Sequence, residues 1–144
     1  MDPNNPVVKL CAQGIDIEMQ GRRDEARSLF LRAWELRQDD VDACIAAHYV
    51  ARHQETPDET LRWNELALTH ALRASPESIR SFFPSLYLNL GKSYEDLGNL
   101  ARARELYEHG ELWLGDVADG GYGEMVRQGL QNGLKRVRQG EAKE

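Results

Sequence analysis

The stretch YLNLGKSYEDLGNLARARELY, Tyr87–Tyr107, decides how this chain folds, because an earlier stretch carries the same pattern. That stretch is LCAQGIDIEMQGRRDEARSLF, Leu10–Phe30, 77 positions before it. In this register Gly14 falls on Gly91, Glu18 on Glu95, Gly21 on Gly98, Ala26 on Ala103 and Leu29 on Leu106. Leu10 pairs with Tyr87, Ile17 with Tyr94, Phe30 with Tyr107 and Ala33 with Gly110. Self-similarity at a fixed long offset marks a repeat architecture, whose units bury their apolar faces by stacking. Each copy reads as two helices about a glycine turn. Leu10 and Ile17 mark one apolar stripe, and Ala26, Leu29, Phe30 and Ala33 mark the next. Gly21 and Gly98 fall where the first helix of each copy should end in a left-handed residue, a conformation that glycine adopts cheaply. Gly14 and Ala26 are expected to face each other, letting the helix axes approach to about 8–10 Å.

These residues resemble the tetratricopeptide (TPR) family, whose unit is a 34-residue helix–turn–helix with a degenerate pattern of small and large positions. The resemblance rests on Gly14, Gly21, Ala26, Phe30 and Ala33 in one copy. In the other it rests on Tyr87, Leu90, Gly91, Tyr94, Gly98, Ala103 and Tyr107, the better match. The proline that often closes such a repeat is replaced by Gln38 and Gly115. The resemblance implies an all-α, right-handed superhelix of about three helix pairs and a C-terminal capping helix, in one domain over 1–144.

The repeats are expected at about 7–39, 40–83 and 84–116, the middle one longer than the standard unit. Its first helix reads Val41–Arg52, with Asp39 or Asp40 as N-cap. Its second opens on a capping box, Thr56-Pro57-Asp58-Glu59, and should run to about Ala74. A helix starting at Ser75-Pro76 is expected to continue to about Leu97, with Pro84 kinking it. The alternative is a separate short helix that Pro84 terminates. After a connector, residues 123–139 carry Val126, Leu130, Leu134 and Val137 on one stripe, so the span 117–139 reads as connector and capping helix and 140–144 as a loose tail. Gly129 and Gly133 each cost that helix about 1 kcal/mol relative to alanine, so it depends on docking. Its cations Arg127, Lys135, Arg136 and Arg138 read as a solvated face.

Composition excludes several classes. The chain has 144 residues, 24 acidic against 18 basic side chains and a net charge of −6. Apolar residues make up 41% and charged residues 29%, a globular balance. No run of about 18 apolar residues is present, so no membrane span is expected. The opening residues lack a basic segment followed by an apolar one, which argues for a cytoplasmic protein. An acidic surplus argues against general nucleic-acid binding, which needs cations to displace counterions from phosphates. Cys11 and Cys44, the only cysteines, fall in helical segments and read as buried reduced thiols.

Catalysis finds little support. His48, His53, His70 and His109 are scattered, without paired metal-ligand spacing. Cys44 and His48 share a helix face, with Cys11 as the only candidate third group; packing is the preferred reading. No enzyme activity, metal or cofactor is expected. A TPR array implies instead a concave face, lined by the first helices, that holds a peptide or a partner's helix. By register that face would include Cys11 and Ile15 from the first repeat. It would take His48 and Arg52 from the second, and Ser85, Leu88, Asn89 and Lys92 from the third. The carboxylate clamp of TPR co-chaperones would place its groups at Cys11, Ile15, Ile45, Ser85 and Asn89; only Asn89 is of a suitable kind, so the clamp is absent. Arg52 and Lys92 could favour an acidic partner segment, unless both pair with acids such as Glu18 or Glu95. The expected function is a protein- or peptide-binding adaptor. The alternative is a self-associating module, a homodimer joined through the C-terminal helix or the Phe82-Phe83 pair, although core packing of that pair is preferred.

Overall fold

A computed structural model describes residues 2–117 and 120–144. All regular elements among them are helices. The chain divides into two compact units, Met1–Ser78 and Ile79–Glu144, so the division falls shortly before the third expected repeat.

In the first unit α1 spans Pro6–Met19, α2 Arg23–Glu35, α3 Asp40–Val50 and α4 Pro57–Arg73, and a 3-10 turn, Ala51–His53, extends α3. Local chemistry sets these limits. Asn5 caps α1 by accepting the Val7 N–H at 2.8 Å, and Pro6 needs no donor at that position. Asp39, one of the two expected caps, accepts the Asp42 N–H at 2.8 Å. Thr56 accepts the Glu59 N–H at 3.2 Å, as the capping box anticipates. A short helix α5, Pro76–Ile79, follows.

In the second unit a 3-10 turn at Arg80–Phe82 leads into α6, Phe83–Asp96, followed by α7, Leu100–Leu112, and α8, Gly121–Ala142. The long kinked helix is therefore corrected. The chain makes a short helix and a tight turn, and Pro84 lies in the first turn of α6, where its missing N–H would have no intrahelical partner anyway. The loose tail is also corrected in part, since α8 continues to Ala142. Arg104 Nε donates to Glu141 Oε1 at 2.9 Å, and Gly140 lies against Leu100, which holds that last turn.

The repeat reappears in the hydrogen bonds. Gly21 has φ +80° and Gly98 φ +86°. Gly21 N–H donates to the Glu18 carbonyl at 2.9 Å and Arg22 N–H to Ile17 at 3.2 Å. In the second copy Gly98 N–H donates to Glu95 at 3.0 Å and Asn99 N–H to Tyr94 at 2.9 Å, each atom pair shifted by the same offset. Both are Schellman turns, and the positive φ explains glycine there.

The small residue Gly14 does not face Ala26 as its closest neighbour. A Cβ added to Gly14 would meet the Phe30 ring, and one added to Gly91 would meet Tyr107. The aromatic residue of each copy thus lies over its glycine, and in the first copy it is one helical turn beyond Ala26, the position expected. A third helix covers each pair. Asn5 Nδ2 donates to Asp42 Oδ1 at 2.7 Å at one end of α1, and Arg52 and His53 reach Glu18 at the other, so α3 runs parallel to α1. Likewise Tyr122 meets Ser85, Gly129 meets Leu88 and Arg136 meets Glu95, so α8 runs parallel to α6. Phe30 and Ala46 lie in the first core, with Tyr107, Leu130 and Leu134 in the second. The glycines that weaken α8 as an isolated helix are its contact points: Gly133 abuts Tyr107 and Gly129 abuts Leu88.

Candidate functional site

The eight expected face residues separate by burial. In the first unit Cys11 is buried in α1 and His48 in α3, whereas Ile15 is half-buried and Arg52 exposed. In the second unit Ser85 is buried, Leu88 and Asn89 are half-buried and Lys92 is exposed. α8 accounts for part of this, since Ser85 hydrogen-bonds Tyr122 and Leu88 packs against the Gly129 backbone. Cys11, His48 and Ser85 therefore lie beneath the surface, leaving Ile15, Arg52, Asn89 and Lys92 as the accessible members. The Phe82-Phe83 pair is buried, and Phe83 stacks on Trp113 with ring centroids 4.6 Å apart, which agrees with core packing.

The accessible cations have internal partners. Arg52 Nη2 donates to Glu18 Oε1 at 2.6 Å, and His53 Nε2 lies 2.5 Å from Glu18 Oε2. The expected pairing with Glu18 is thus present. Lys92 pairs with Asp96 rather than Glu95. Glu95 is taken by Arg136, whose Nε and Nη2 donate to its two oxygens at 2.8 and 3.0 Å, and by Tyr107 Oη at 2.7 Å. Hydrogen bonds from Arg136, more than those from Tyr107, hold the Glu95 carboxyl below its ordinary range against the opposing effect of burial. Arg136 stays exposed, as expected of the solvated face, while it pairs with Glu95.

Glu18 and Glu95 occupy equivalent places and do equivalent work, since each ties its first helix to the third helix of its own unit. Sequence reading missed this role, although the match of Glu18 with Glu95 in the repeat register was the available signal. Arg52 was foreseen as a partner of Glu18, but Arg136 was not foreseen for Glu95, because it does not align with Arg52 or His53.

The thiols are chemically quiet. Burial pushes both Cys11 and Cys44 up to about 12, so neither supplies thiolate near neutral pH. Burial, with the Arg52 charge adding to it, pushes His48 down to about 4, which keeps its imidazole neutral. Among the described residues no group of three or more His, Cys, Asp or Glu side chains is arranged to hold a metal ion. A shallow open depression of about 640 Å³ in the first unit is bordered by Glu35, Arg37, Asp39, Asp40 and His70. Its charged groups are largely engaged with their own unit: Asp39 caps α3, His70 Nδ1 meets Asp40 Oδ1 at 2.8 Å, and Arg37 lies 3.9 Å over the Trp34 ring. No helix among the described residues is long and apolar enough to cross a membrane.

The class this geometry defines, among the described residues, is an all-helical protein in which each unit holds a helix pair, α1–α2 or α6–α7, covered by a third helix, α3 or α8. No protein-family model, no curated protein and no solved structure matches the chain.

Proposed function

We propose that this chain is a TPR-type interaction module that recognises a protein or peptide partner and catalyses no reaction. The observation that carries the reading is the recurrence of one set of contacts at one offset: the paired glycine turns, and Gly14 on Phe30 with Gly91 on Tyr107. Stacked helix pairs present preformed surfaces, so a partner binds without the cost of ordering the scaffold. The accessible members of the face are Ile15 and Arg52 in the first unit and Asn89 and Lys92 in the second. Buried, protonated thiols and a neutral buried imidazole support recognition over chemistry. A cytoplasmic setting, without nucleic acid or membrane as partner, fits the acidic balance. The test is affinity capture comparing the native chain with Arg52→Glu/Lys92→Glu. Loss of specific partners supports the reading, and survival of all of them removes these faces as the binding surface.

Self-association is a second reading, favoured by Tyr122 and Met125, which are 51% and 64% exposed near the start of α8. The rest of the outward side of α8 is polar, with Gln128, Gln131, Asn132, Lys135 and Arg138, and resembles a cap more than a contact surface. Light scattering on the full chain and on Tyr122→Ser/Met125→Ser decides between them. A monomer in both cases removes self-association.

A further inference from the structure

We infer that Arg27, on the second helix of the first unit, is the seat for a carboxylate on an acidic segment of a partner protein. The inference rests on the interaction-module reading and adds a contact point on α2, with the charge of what binds there. In the 77-residue register Arg27 falls on Arg104, and the second copy shows what such an arginine takes. Arg104 Nε donates to Glu141 Oε1 at 2.9 Å, and its Nη1 donates to Glu108 Oε1 at 3.1 Å. Both acceptors are missing from the first copy. Glu108 falls on Leu31. Glu141 lies in the last turn of α8, five residues beyond Arg136, whereas five residues beyond Arg52 α3 has ended and Pro57 opens α4. Arg27 Nε is accordingly the one buried side-chain N or O atom without a hydrogen-bond partner among the described residues. The acids of the turn after α3, Glu55, Asp58 and Glu59, form no ion pair with it among those residues.

A buried donor without an acceptor lowers the stability of the unit that holds it. Arg27 as a whole is only half-buried, so an incoming oxygen reaches its Nη groups, and rotation of the long side chain brings Nε to the same ligand. The surroundings select an anion. Arg23, one turn before Arg27 on the same face, is exposed and stands where the second copy has Leu100, the residue on which Gly140 of α8 lies. Arg22 and Glu25 pair with each other on the far side of α2. Asp24, beside the face, is one carboxylate against two arginines, so the seat keeps a net positive charge. A carboxylate is the anion that the matched arginine binds, and the guanidinium fork fits its two oxygens. The occupant comes from another protein, because the chain's own counterpart, Glu141, is engaged on Arg104.

The probes are two fluorescent peptides of about ten residues, one rich in Glu and one with Gln in the same places. They are read by anisotropy against the full chain at about 0.15 M salt, where distant charges are screened. The Glu peptide should bind at least about tenfold more tightly than the Gln peptide. Arg27→Met keeps the aliphatic stem and should abolish that preference, whereas Arg52→Glu/Lys92→Glu should retain it. Arg27→Lys keeps the charge but loses the fork, so it should recover only part of the preference. Arg27→Met also removes the unpaired donor, so its thermal midpoint should equal or exceed the native one, while Arg104→Met, which breaks two ion pairs, should lower it. Equal affinity for the two peptides, binding of neither, indifference to Arg27→Met, or a preference lost in Arg52→Glu/Lys92→Glu overturns the inference. Stronger competition by inorganic phosphate than by succinate overturns the carboxylate, and a dimer of the chain that Arg27→Met dissolves overturns the foreign partner. A natural partner lost by Arg52→Glu/Lys92→Glu but kept by Arg27→Met leaves the module reading standing and removes the seat. Survival of every partner in the double reversal counts against the module reading's own face, and the peptide result then judges the seat separately.

Discussion

Replacing Gly14 by alanine tests the packing of the repeat at the point where ordinary helix rules give the opposite answer. In an exposed helix interior this change gains about 1 kcal/mol, because glycine orders at greater entropic cost. Here the new methyl would stand 2.3 Å from Phe30 Cε1, 2.8 Å from Cδ1 and 2.9 Å from Cζ. The ring cannot withdraw easily. It is fully buried and stacks on Tyr49 and His53, with centroids 5.3 and 5.9 Å away. Overpacking a filled core costs about 1–3 kcal/mol, and a contact this short belongs in the upper part of that range. The expected net effect is a loss of about 1–2 kcal/mol after the propensity gain is subtracted. Urea unfolding reports it, followed by circular dichroism and by Trp34 and Trp63 fluorescence in the first unit. Gly129→Ala is the control: its methyl would meet the end of the half-buried Leu88 side chain at 2.9 Å, which can swing away. That variant should lie between no change and a gain of about 1 kcal/mol. A Gly14→Ala protein as stable as the native chain, or more stable, refutes the claim that the close approach of Phe30 requires glycine.

Three further outcomes are expected. His48 titrates near 6.5 when unfolded but at about 4 when folded, so the unfolded chain binds more protons between those values. Its contribution to stability, up to about 3 kcal/mol, is present above pH 6.5 and lost as pH falls toward 4, and His48→Leu should flatten the pH dependence of the urea midpoint in that window. Glu95→Gln should lower stability at neutral pH by about 1 kcal/mol or less, since its main partner Arg136 is 46% exposed and solvent screens the pair. Glu95 has a lowered folded pKa, so its contribution is present above the unfolded value and lost on acidification, and native and Glu95→Gln proteins should converge at low pH in thermal melts. Cys11 and Cys44 should resist a thiol-labelling reagent in the native chain at mildly alkaline pH and react fully in denaturant; rapid native labelling contradicts their burial.

Much of the local architecture was legible because it depends on neighbours in the chain. Asp39 and Thr56 cap their helices with bonds that span three residues, and Gly21 and Gly98 end theirs through a backbone conformation a side chain would penalise. Pro84 was ambiguous for a related reason. Proline tolerates both a first turn and a kink, and the difference lies in whether the preceding residues have tertiary support for a continuous helix. The face residues were read less well. Register placed Cys11, His48 and Ser85 on an accessible face, but exposure depends on what packs over a helix, and periodicity does not carry that information.

The 77-residue offset, the helix pairs and their glycine turns follow from the order of the amino acids, because turns, caps and stripes are written in short-range spacing. Tertiary structure decided which ring fills each glycine notch, how far α8 extends, and which cation each anchoring carboxylate takes. Phe30 rather than Ala26 meets Gly14, and Arg136 rather than Lys92 meets Glu95. Those choices come from distances between segments far apart in the chain, where several residues of suitable chemistry compete and packing selects one.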